Sequence, residues 1–377
     1  MQACGIVVEY NPLHSGHIHH IQESRSKSGC DVLIAVMSPY FVQRGEPAIL
    51  HPSERAKQAI LHGVDLVVEL PYPYCLEHAD KFALGAITVL NKLHIKHLCF
   101  GSESNNIQSL EQELARQSTR QFSSTHSLAA HNPHQNSNDI LGVAYLKALQ
   151  QTNIQPLTIQ RTNVYRSTTI ESAHASASAL RQAVRMNDNT NLSLYTPMEA
   201  QLRNQPLADL AAFYPLLRYL LTTLPASYLK SLFLMEEGIE GLFQKQASQC
   251  HDLASFLTAC TSKRYTRSRI QRTLCHLLLQ TTKDEARTLA QMDIVRILAY
   301  NQTGQTYLKH VRELEKQHKA LHPAYEIPQF ANKFNQLPVP YQKKAMQMCR
   351  VAHHFSREEM LHQAIQQELS YPIRLEV

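Results

Sequence analysis

Short β-rich runs alternate with helical segments through the first half of this 377-residue chain, and this alternation constrains the fold more than any other feature. The runs are GIVVEY, DVLIAVMS, VDLVVELP and HLCFGSE, and the first three each lead into a segment with helical periodicity. Strands that alternate with helices pair in parallel, because each helix carries the chain back to the start of the next strand. The pattern therefore predicts an α/β fold with a parallel sheet flanked by helices.

Helix-end signals locate two of these helices. One helix is expected to start near His17 and to end at Gly29, because glycine readily adopts the left-handed conformation that closes a helix. Ser53 is expected to cap a second helix that stops at Gly63. The polar stretch 105–138 predicts a helix and a loop, after which the helix DILGVAYLKAL, the strand PLTIQRTNVY and the helix SASALRQAV resume the alternation.

The chain beyond about residue 190 has a different pattern. Leucines recur at three- and four-residue spacing in LADLAAFYPLLRYLLTTL, SLFLMEEGIEGLF and TLCHLLLQTTKDEARTLAQMDIVRILAY, which predicts mainly helical structure. The polar linker MNDNTNLSLYTP, residues 186–197, separates the two parts. We therefore predict two domains, 1–190 and 191–377, a number that suits the chain length.

Composition excludes several classes of protein. Hydrophobic residues make up 44% and charged residues 18%, which is typical of globular proteins rather than of disordered chains. No apolar run is long enough to span a membrane, and the eight cysteines are scattered without a CxxC pair. We therefore expect a cytoplasmic protein with reduced thiols and no structural zinc. The motifs GxxxxGK[ST] and GxGxxG are absent, which argues against P-loop hydrolysis and dinucleotide redox chemistry.

The stretch NPLHSGHIHH follows the first predicted strand and contains the pattern HxGH. At a strand-to-helix junction, unpaired N–H groups attract phosphate and Gly16 lets a ligand approach the backbone. His14 and His17 can donate hydrogen bonds to phosphate oxygens. A structural turn and a metal site are the alternatives, although histidines alone are weak evidence for a metal. His19 and His20 are expected on the helix surface.

A second candidate for phosphate binding is the segment SASALR. Ser176 and Ser178 lie at the start of a predicted helix and Arg181 follows one turn later, so that all three could reach one anion. An ordinary helix cap with a surface arginine explains the same residues. The segment gains weight only if the fold brings it to His14 and His17.

Positive charge concentrates in one segment of the second part. The net charge is +6, and residues 253–283 contain no aspartate or glutamate. On a helix, Arg264, Arg267 and Arg272 would lie near one face, with Tyr265 available for stacking on RNA bases. A basic run is also typical of an ordinary solvated surface. The candidates for contact with an RNA backbone are Lys263, Arg264, Arg267, Arg269 and Arg272.

Several segments, taken in order, resemble those of the bacterial tRNA(Met) cytidine acetate ligase family. They are GIVVEYNPLHSGHIHHI, FVQRGEPAI, RAKQAILHGVDLVVELP, FALGAITVLNKL, FGSE, NDILGVAYLKAL and SASALR. The resemblance covers most of residues 1–185 and extends more thinly through SKRYTRSRIQR and IVRILAYNQTGQTYLK. It implies a Rossmann-like parallel sheet of the HxGH nucleotidyltransferase type, followed by a mainly α-helical C-terminal domain that binds tRNA.

The resemblance also implies a reaction. Acetate reacts with ATP to give acetyl-adenylate and pyrophosphate, and the acetyl group then passes to N4 of the wobble cytidine of elongator tRNA(Met). Mg²⁺ is expected with ATP, because the phosphates of ATP carry it. The residues expected to stabilise charge on the reacting phosphates are His14, His17 and Arg181.

The residues that correspond to the ATP-binding positions of the family form a larger set. The first stretch is Val7, Val8, Glu9, Tyr10, Asn11, Pro12, Leu13, His14, Ser15, Gly16, His17, Ile18, His19 and His20. Further along the chain the corresponding residues are Gly101, Asn138 and Arg161, with Ser176 and Ser178 as additional phosphate-binding candidates.

The chain departs from the family pattern at three positions. Where the family usually has Ser-Gly-Asn-Phe-Val-Gln-Arg-Gly, this chain has SPYFVQRG, so that Pro39 and Tyr40 stiffen and enlarge a turn that is normally small. Arg166 stands where a histidine is usual. These differences bear on the shape of the pocket for acetate or cytidine.

Two other functions explain part of the pattern. A small-molecule nucleotidyltransferase of the same fold would use His14, His17 and Arg181 equally well, but it gives no purpose to the basic segment. An RNA-binding protein with a vestigial nucleotide site would use only the basic segment. Formation of a product that depends on RNA separates the first of these from the ligase.

Overall fold

A mostly parallel sheet lies at the centre of the protein. The structure is a computed structural model that describes residues 1–119, 137–161, 175–186, 189–204, 207–354 and 358–376. Its strands in chain order are β1 (Ala3–Val8), β2 (Val32–Met37), β3 (Phe41–Val42), β4 (Glu46–Pro47), β5 (Leu66–Glu69), β6 (His97–Ser102), β7 (Gln155–Gln160), β8 (Ile294–Tyr300), β9 (Gln329–Ala331) and β10 (Ile373–Arg374).

The sheet order is β10, β8, β5, β2, β1, β6 and β7, with β9 also paired to β8. The strands β5, β2, β1, β6 and β7 run parallel, which confirms the predicted parallel sheet. β8 is antiparallel to β5. β3 and β4 form a separate antiparallel hairpin beside the carboxyl ends of the central strands.

Helices connect the strands and make up most of the remaining structure. The helices that carry the first part of the chain are α1 (Ser15–Ser28), α2 (Pro52–Leu61), α3 (Ala79–Lys92), α4 (Ile107–Thr119), α5 (Ser137–Leu149) and α6 (Ala177–Arg185). Those of the second part are α7 (Glu199–Asn204), α8 (Tyr214–Thr223), α9 (Ala226–Ser231), α10 (Ile239–Gln249), α11 (Leu253–Cys260), α12 (Arg267–Leu278), α13 (Lys283–Ala290), α14 (Gln302–Leu321), α15 (Val339–Ala352) and α16 (Glu358–Ser370). None of the helices in the described ranges has both the length and the apolarity needed to cross a membrane.

Alternate residues of β2 belong to different hydrophobic clusters, which shows that both faces of the sheet are covered. Val32, Ile34 and Val36 pack in the cluster that includes α3 and α5, whereas Leu33, Ala35 and Met37 pack in the cluster that includes α1 and α2. A strand that is buried on both faces reads as a continuous apolar run, which is why DVLIAVMS was recognisable as a strand.

The predicted helix ends are partly confirmed. Gly29 ends α1 with φ of 59°, as expected for a left-handed C-cap. The prediction that Ser53 caps α2 is wrong, because α2 begins at Pro52 and its cap is His51, whose Nδ1 accepts the Ser53 N–H at 3.1 Å. Proline suits the first position of a helix, since its φ is already helical and its missing N–H would have no helical partner.

The second part of the chain is mainly helical, as predicted, but it also contributes to the sheet. The segment DIVRILAY was predicted as helix and is instead β8, which is almost entirely buried between β5 and β10. Hydrophobic periodicity alone does not tell whether a short apolar run is a buried strand or part of a buried helix. The sheet therefore includes strands from both sides of the predicted boundary near residue 190. Of the predicted strand PLTIQRTNVY, the part up to Gln160 is β7, and residues 162–165 lie outside the described residues.

A buried ionic cluster joins β8 to the rest of the sheet. Arg296 on β8 has Nη1 2.9 Å from Glu69 Oε2 and 2.9 Å from Glu368 Oε1, and all three side chains are at most 3% exposed. The hydroxyl of Tyr341 donates to Glu69 at 2.5 Å, and that of Tyr40 donates to Glu368 at 2.6 Å. The cluster thus links strands β5 and β8 to helices α15 and α16.

We predict that Arg296→Met strongly destabilises the protein, because it leaves two carboxylates buried without a cation. Removal of one partner from a buried pair costs about 3–5 kcal/mol. Chemical denaturation with urea measures the change in the free energy of unfolding. The matched control is Arg287→Met, whose exposed pair with Asp284 should contribute less than about 1 kcal/mol. Equal effects of the two variants would contradict the assignment.

Candidate active site

Two histidines cap the helix that follows the first strand. His14 is the N-cap of α1, and its Nδ1 accepts the N–H of Gly16 at 3.1 Å. In return, His17 Nδ1 accepts the N–H of His14 at 3.3 Å. This reciprocal arrangement, a capping box, satisfies N–H groups that a helix start leaves unpaired. The two rings stack with their centroids 3.8 Å apart.

The capping bonds determine which nitrogen of each ring carries a proton. A neutral imidazole whose Nδ1 accepts a hydrogen bond has its proton on Nε2. Burial lowers the pKa of His17 well below its ordinary value, and the nearby His14, Arg161 and His20 lower it further. His17 is therefore neutral at pH 7 and carries an Nε2–H donor. The same bond pattern gives His14 an Nε2–H donor.

The SASALR segment lies next to HSGH, which is the condition under which it gains weight as a phosphate-binding candidate. Ser176 caps α6 by accepting the N–H of Ala179 at 3.1 Å. One turn later Arg181 donates from Nη1 to the carbonyl oxygen of Asn11 at 2.8 Å, and its Nη2 lies 3.3 Å from the Ser178 hydroxyl oxygen. The guanidinium is therefore held against the loop that precedes α1. It is not an ordinary surface arginine, because its side chain is only 15% exposed.

The end of β6 supplies a third part of the site. A Cβ added to Gly101 would lie 3.0 Å from Cδ and from Cγ of Arg161, so glycine permits the close approach of that side chain. Arg161 Nη1 donates to Asn138 Oδ1 at 3.0 Å, and Asn138 Nδ2 donates to Glu103 Oε1 at 2.5 Å. This chain of bonds fixes the orientation of the guanidinium.

These three parts line one cavity of about 530 Å³ at the carboxyl edge of the parallel strands. This is the edge at which open α/β sheets bind ligands. The predicted residues that line it are Val7, Val8, Glu9, Tyr10, Asn11, His14, Gly16, His17, His19, His20, Gly101, Asn138, Arg161, Ser176, Ser178 and Arg181.

Four residues of the predicted stretch do not line the cavity: Pro12, Leu13, Ser15 and Ile18. Leu13 is fully buried in the core, and Ser15 donates its N–H to the carbonyl oxygen of Tyr195 at 2.8 Å. His19 is exposed on the surface of α1, as expected, whereas His20 is partly buried, and both side chains also line the cavity. Burial lowers the pKa of His20 to about 4.

Two groups of cavity residues were not recognised in the sequence. Val42, Gln43, Arg44 and Glu46 come from the β3–β4 hairpin, whose turn contains Gly45 with φ of 83°. The signal was present in FVQRGEP, since a glycine between two short β-rich runs predicts a hairpin. The apolar wall is formed by Phe82, Phe100, Leu141 and Tyr145. Their helical or strand periodicity is that of core residues, so no sequence signal distinguishes them.

The departures from the family pattern at Pro39 and Tyr40 lie away from the cavity. The carbonyl of Pro39 accepts a hydrogen bond from Arg55, and the hydroxyl of Tyr40 donates to Glu368 in the buried ionic cluster. Neither side chain lines the cavity. Tyr40 therefore contacts α16, and neither of the two residues narrows the cavity. Arg166 lies outside the described residues.

The structure divides the predicted basic segment. Lys263, Arg264 and Arg267 are exposed at the start of α12. Arg269 pairs with Glu237 at 3.1 Å and is only 16% exposed. Arg272 is buried and donates to the carbonyl of Gln43 at 3.2 Å.

The prediction that Arg264, Arg267 and Arg272 share one exposed face is therefore wrong for Arg272, and Arg269, a separate candidate for RNA contact, is largely covered. Arg272 points inward because α12 packs closely on the β3–β4 hairpin. A Cβ atom added to Gly45 in this hairpin would lie 2.2 Å from the backbone nitrogen of Arg272. Tyr265 is not available for stacking, since it is 7% exposed and its hydroxyl donates to the carbonyl of Glu237 at 2.6 Å.

The cavity offers few ligands for a metal. In the part of the chain that the structure describes, no three histidine, cysteine or acidic side chains form a group that could hold a metal ion. The metal-site interpretation of HSGH is therefore not supported, and both capping nitrogens of the motif already accept backbone N–H groups.

Known proteins resemble this chain over nearly its whole length. Residues 1–363 match the HIGH Nucleotidyl Transferase family model. The tRNA(Met) cytidine acetate ligase of Anoxybacillus flavithermus is 35% identical, with 92% of this chain and 98% of the relative covered. The enzyme of that name from Leuconostoc mesenteroides is 36% identical, with 83% of this chain and 87% of the relative covered.

Two solved structures share the fold over the full length of both chains. Thermotoga maritima TmcAL in its apo form superposes with a TM-score of 0.79 at 24% identity. The same protein bound with alpha-thio ATP superposes with a TM-score of 0.76 at 25% identity. The match to the family model and to these relatives, over a fold that places HSGH and SASALR at one cavity, shows that the chain belongs to the tRNA(Met) cytidine acetate ligase family within the HIGH nucleotidyl transferases.

Proposed function

We propose that the protein activates acetate with ATP as acetyl-adenylate and transfers the acetyl group to N4 of the wobble cytidine of elongator tRNA(Met). The observation that carries this proposal is the hydrogen bond from Arg181 to the Asn11 carbonyl, because it brings the two phosphate motifs into one cavity. The names of the relatives supply the acetate and the cytidine.

The first step needs stabilisation of negative charge. Acetate attacks the α-phosphate of ATP, and charge develops on the phosphate and on the departing pyrophosphate. His14 and His17 provide Nε2–H donors from the start of α1, and Arg181 provides a fixed positive charge from α6. Such donors act strongly in a cavity because they are already oriented and little water competes with them.

Magnesium fits this proposal as a partner of ATP rather than as a resident of the protein. The described residues around the cavity include the carboxylate of Glu46, which lies 3.7 Å from Arg181. Mg²⁺ commonly binds through phosphate oxygens and water with one or two carboxylates. The ion would therefore enter with the triphosphate.

The division of the chain at about residue 190 is part of the proposal. Residues 1–190 hold all the predicted phosphate-binding residues, whereas 191–377 carry the exposed candidates for RNA contact, Lys263, Arg264 and Arg267. Arg272, near the middle of α12, contacts the cavity hairpin, and Arg267 lies five residues earlier. At a rise of about 1.5 Å per residue, Arg267 is about 8 Å from Arg272 along the axis of α12. This distance supports binding of a tRNA backbone beside the cavity mouth.

The decisive experiment combines purified protein, Mg-ATP and labelled acetate with and without bulk tRNA. Mass analysis of nucleosides should detect acetylated cytidine only when both ATP and tRNA are present. Transfer of a nucleotide to a small phosphorylated acceptor instead would support the small-molecule nucleotidyltransferase.

For the nucleotide site, we predict that His14→Asn slows acetyl-adenylate formation by about 100-fold or more, because one oriented donor is lost. Asparagine is a good N-cap, so α1 should keep its start and the melting temperature should change little. Acetate-dependent exchange of labelled pyrophosphate into ATP measures the rate. The control is His310→Ala, an exposed histidine on α14. Normal exchange by the His14 variant would rule out its role at the phosphate.

For the basic surface, we predict that Lys263→Ala with Arg267→Ala weakens tRNA binding and lowers its salt dependence. Loss of two phosphate contacts should reduce the magnitude of the slope of the logarithm of the binding constant against the logarithm of the salt concentration by between about one and two. Filter binding over a salt series measures both quantities. The control pair is Arg287→Ala with Lys316→Ala, two side chains at least 65% exposed on other helices. An unchanged slope in the first pair would place the tRNA elsewhere.

A further inference from the structure

Glu9 has an unusual position for a residue beside bound phosphate. It directly follows β1, lines the cavity, and is half-buried. Its Oε1 accepts the N–H of Gln43 at 2.8 Å. Within the described ranges, Oε2 accepts no hydrogen bond and no cation forms an ion pair with the carboxylate. One carboxylate oxygen therefore remains for a ligand.

The surroundings of Glu9 suit a group that takes up a proton. Burial raises the pKa of the carboxyl above its ordinary value, while the bond from Gln43 and the charges of Arg44, Arg181 and Arg55 oppose this rise. A carboxylate held in a cavity binds a proton more readily than one in water. Groups with such perturbed pKa values are common at catalytic sites.

The natural partner of the unpaired oxygen is a neutral N–H group. A phosphate oxygen would be repelled by the carboxylate, so Glu9, although it lies in the stretch that corresponds to the ATP-binding positions of the family, is unsuited to contact the triphosphate itself. A divalent cation is disfavoured because Arg44, Arg55 and Arg181 act electrostatically on Glu9. An amine is neutral and can donate. Carboxylates commonly accept a hydrogen bond from the exocyclic amine of cytosine.

The location of Glu9 favours the cytosine amine over the adenine amine. Glu9 and Arg181 interact electrostatically, and Arg181 donates to the carbonyl of Asn11, two residues beyond Glu9. Glu9 is thus at the end of the cavity where phosphate reacts. In ATP the ribose separates the adenine from the α-phosphate, so the adenine amine lies away from that end.

A flat apolar wall stands beside the carboxylate. Burial and, to a smaller extent, the negative charge of Glu9 raise the pKa of the Tyr145 hydroxyl, so the two side chains share this end of the cavity. Phe100 lies 5.4 Å from Tyr145 between ring centroids, and Phe82 and Val42 line the same cavity. Aromatic and apolar side chains of this kind pack against an unstacked base.

We propose that Glu9 is a catalytic residue of acetyl transfer, whose carboxylate binds the exocyclic amine of cytidine and accepts its proton. This inference rests on the proposed function. The amine nitrogen forms a bond to the acetyl carbonyl carbon, and the bond from that carbon to the adenylate oxygen breaks with its electron pair on AMP. One amine proton passes to Glu9 Oε2 and then to solvent. The products are N4-acetylcytidine, AMP and one proton.

The test separates the two half-reactions in Glu9→Gln. Pyrophosphate exchange measures adenylation, and mixing the enzyme with synthetic acetyl-adenylate and tRNA measures transfer in a single turnover. We expect transfer to be slower by about 100-fold or more, the size of a general-base contribution, and exchange to be slowed much less than transfer. Glu9→Asp, which keeps a carboxylate, should recover part of the transfer rate. The control is Glu111→Gln, an exposed position on α4.

The pH profile adds a readout that a structural role would not change. A base must be ionised to accept a proton, so wild-type transfer should rise with pH through the raised pKa of Glu9 and then level off. The rise should be absent in Glu9→Gln. The other charged or titratable groups that line the cavity or act on Glu9 are Arg44 and Glu46 on the hairpin, Tyr10 after β1, Arg55 on α2, Tyr145 on α5, Arg161 after β7, Arg181 on α6, and His14, His17, His19 and His20 at α1.

Three outcomes would overturn the inference. Equal loss of exchange and transfer would make Glu9 part of the nucleotide site. A higher requirement of exchange for Mg²⁺ in Glu9→Gln would make it a metal ligand. Normal transfer by the variant would leave it without a role. Failure of wild-type protein to form acetyl-adenylate would instead refute the proposed function, and the synthetic intermediate would still test Glu9.

Discussion

The candidate active site depends on one buried guanidinium. Arg55 on α2 is fully buried and donates to the carbonyl oxygens of Leu50, Glu9, Ser38 and Pro39. Burial lowers its pKa to about 10, so it stays charged at neutral pH. These carbonyls belong to the ends of β1 and β2 and to the loop that carries the hairpin. The planar, multiply donating guanidinium can hold them together where a lysine could not.

The buried ionic cluster extends this constraint to the C-terminal part of the chain. Tyr40 follows two of the residues that Arg55 holds, and its hydroxyl donates to Glu368 on α16. Glu368 and Glu69 both contact Arg296 on β8. The loop beside the cavity is therefore anchored by residues that are far apart in sequence, and the second part of the chain supports the geometry of the first.

The sequence predicted those features that a few neighbouring residues determine. The corner at HSGH was predictable because a strand end, a cap and a glycine within ten residues define both its structure and its attraction for phosphate. β8 was not predictable, since its identity as a strand comes from pairing with β5. The sequence also did not predict the burial of Arg272 and Tyr265, because a basic segment has the same sequence pattern whether it faces solvent or packs on a hairpin. The apolar cavity residues Phe82 and Tyr145 could not be recognised either, because their sequence periodicity is that of ordinary core residues.

The two half-reactions place opposite electrostatic demands on one cavity. Adenylation needs positive charge and donors for the phosphates, the role proposed for His14, His17 and Arg181, whereas acetyl transfer needs an acceptor for a proton. While the triphosphate is bound, its negative charge makes an ionised Glu9 less favourable. Release of pyrophosphate removes most of that charge, and the nearby Arg44, Arg181 and Arg55 then favour the carboxylate form of Glu9. The base therefore becomes effective only after the intermediate that it serves has formed, and the order of the two steps follows from the charges of the cavity.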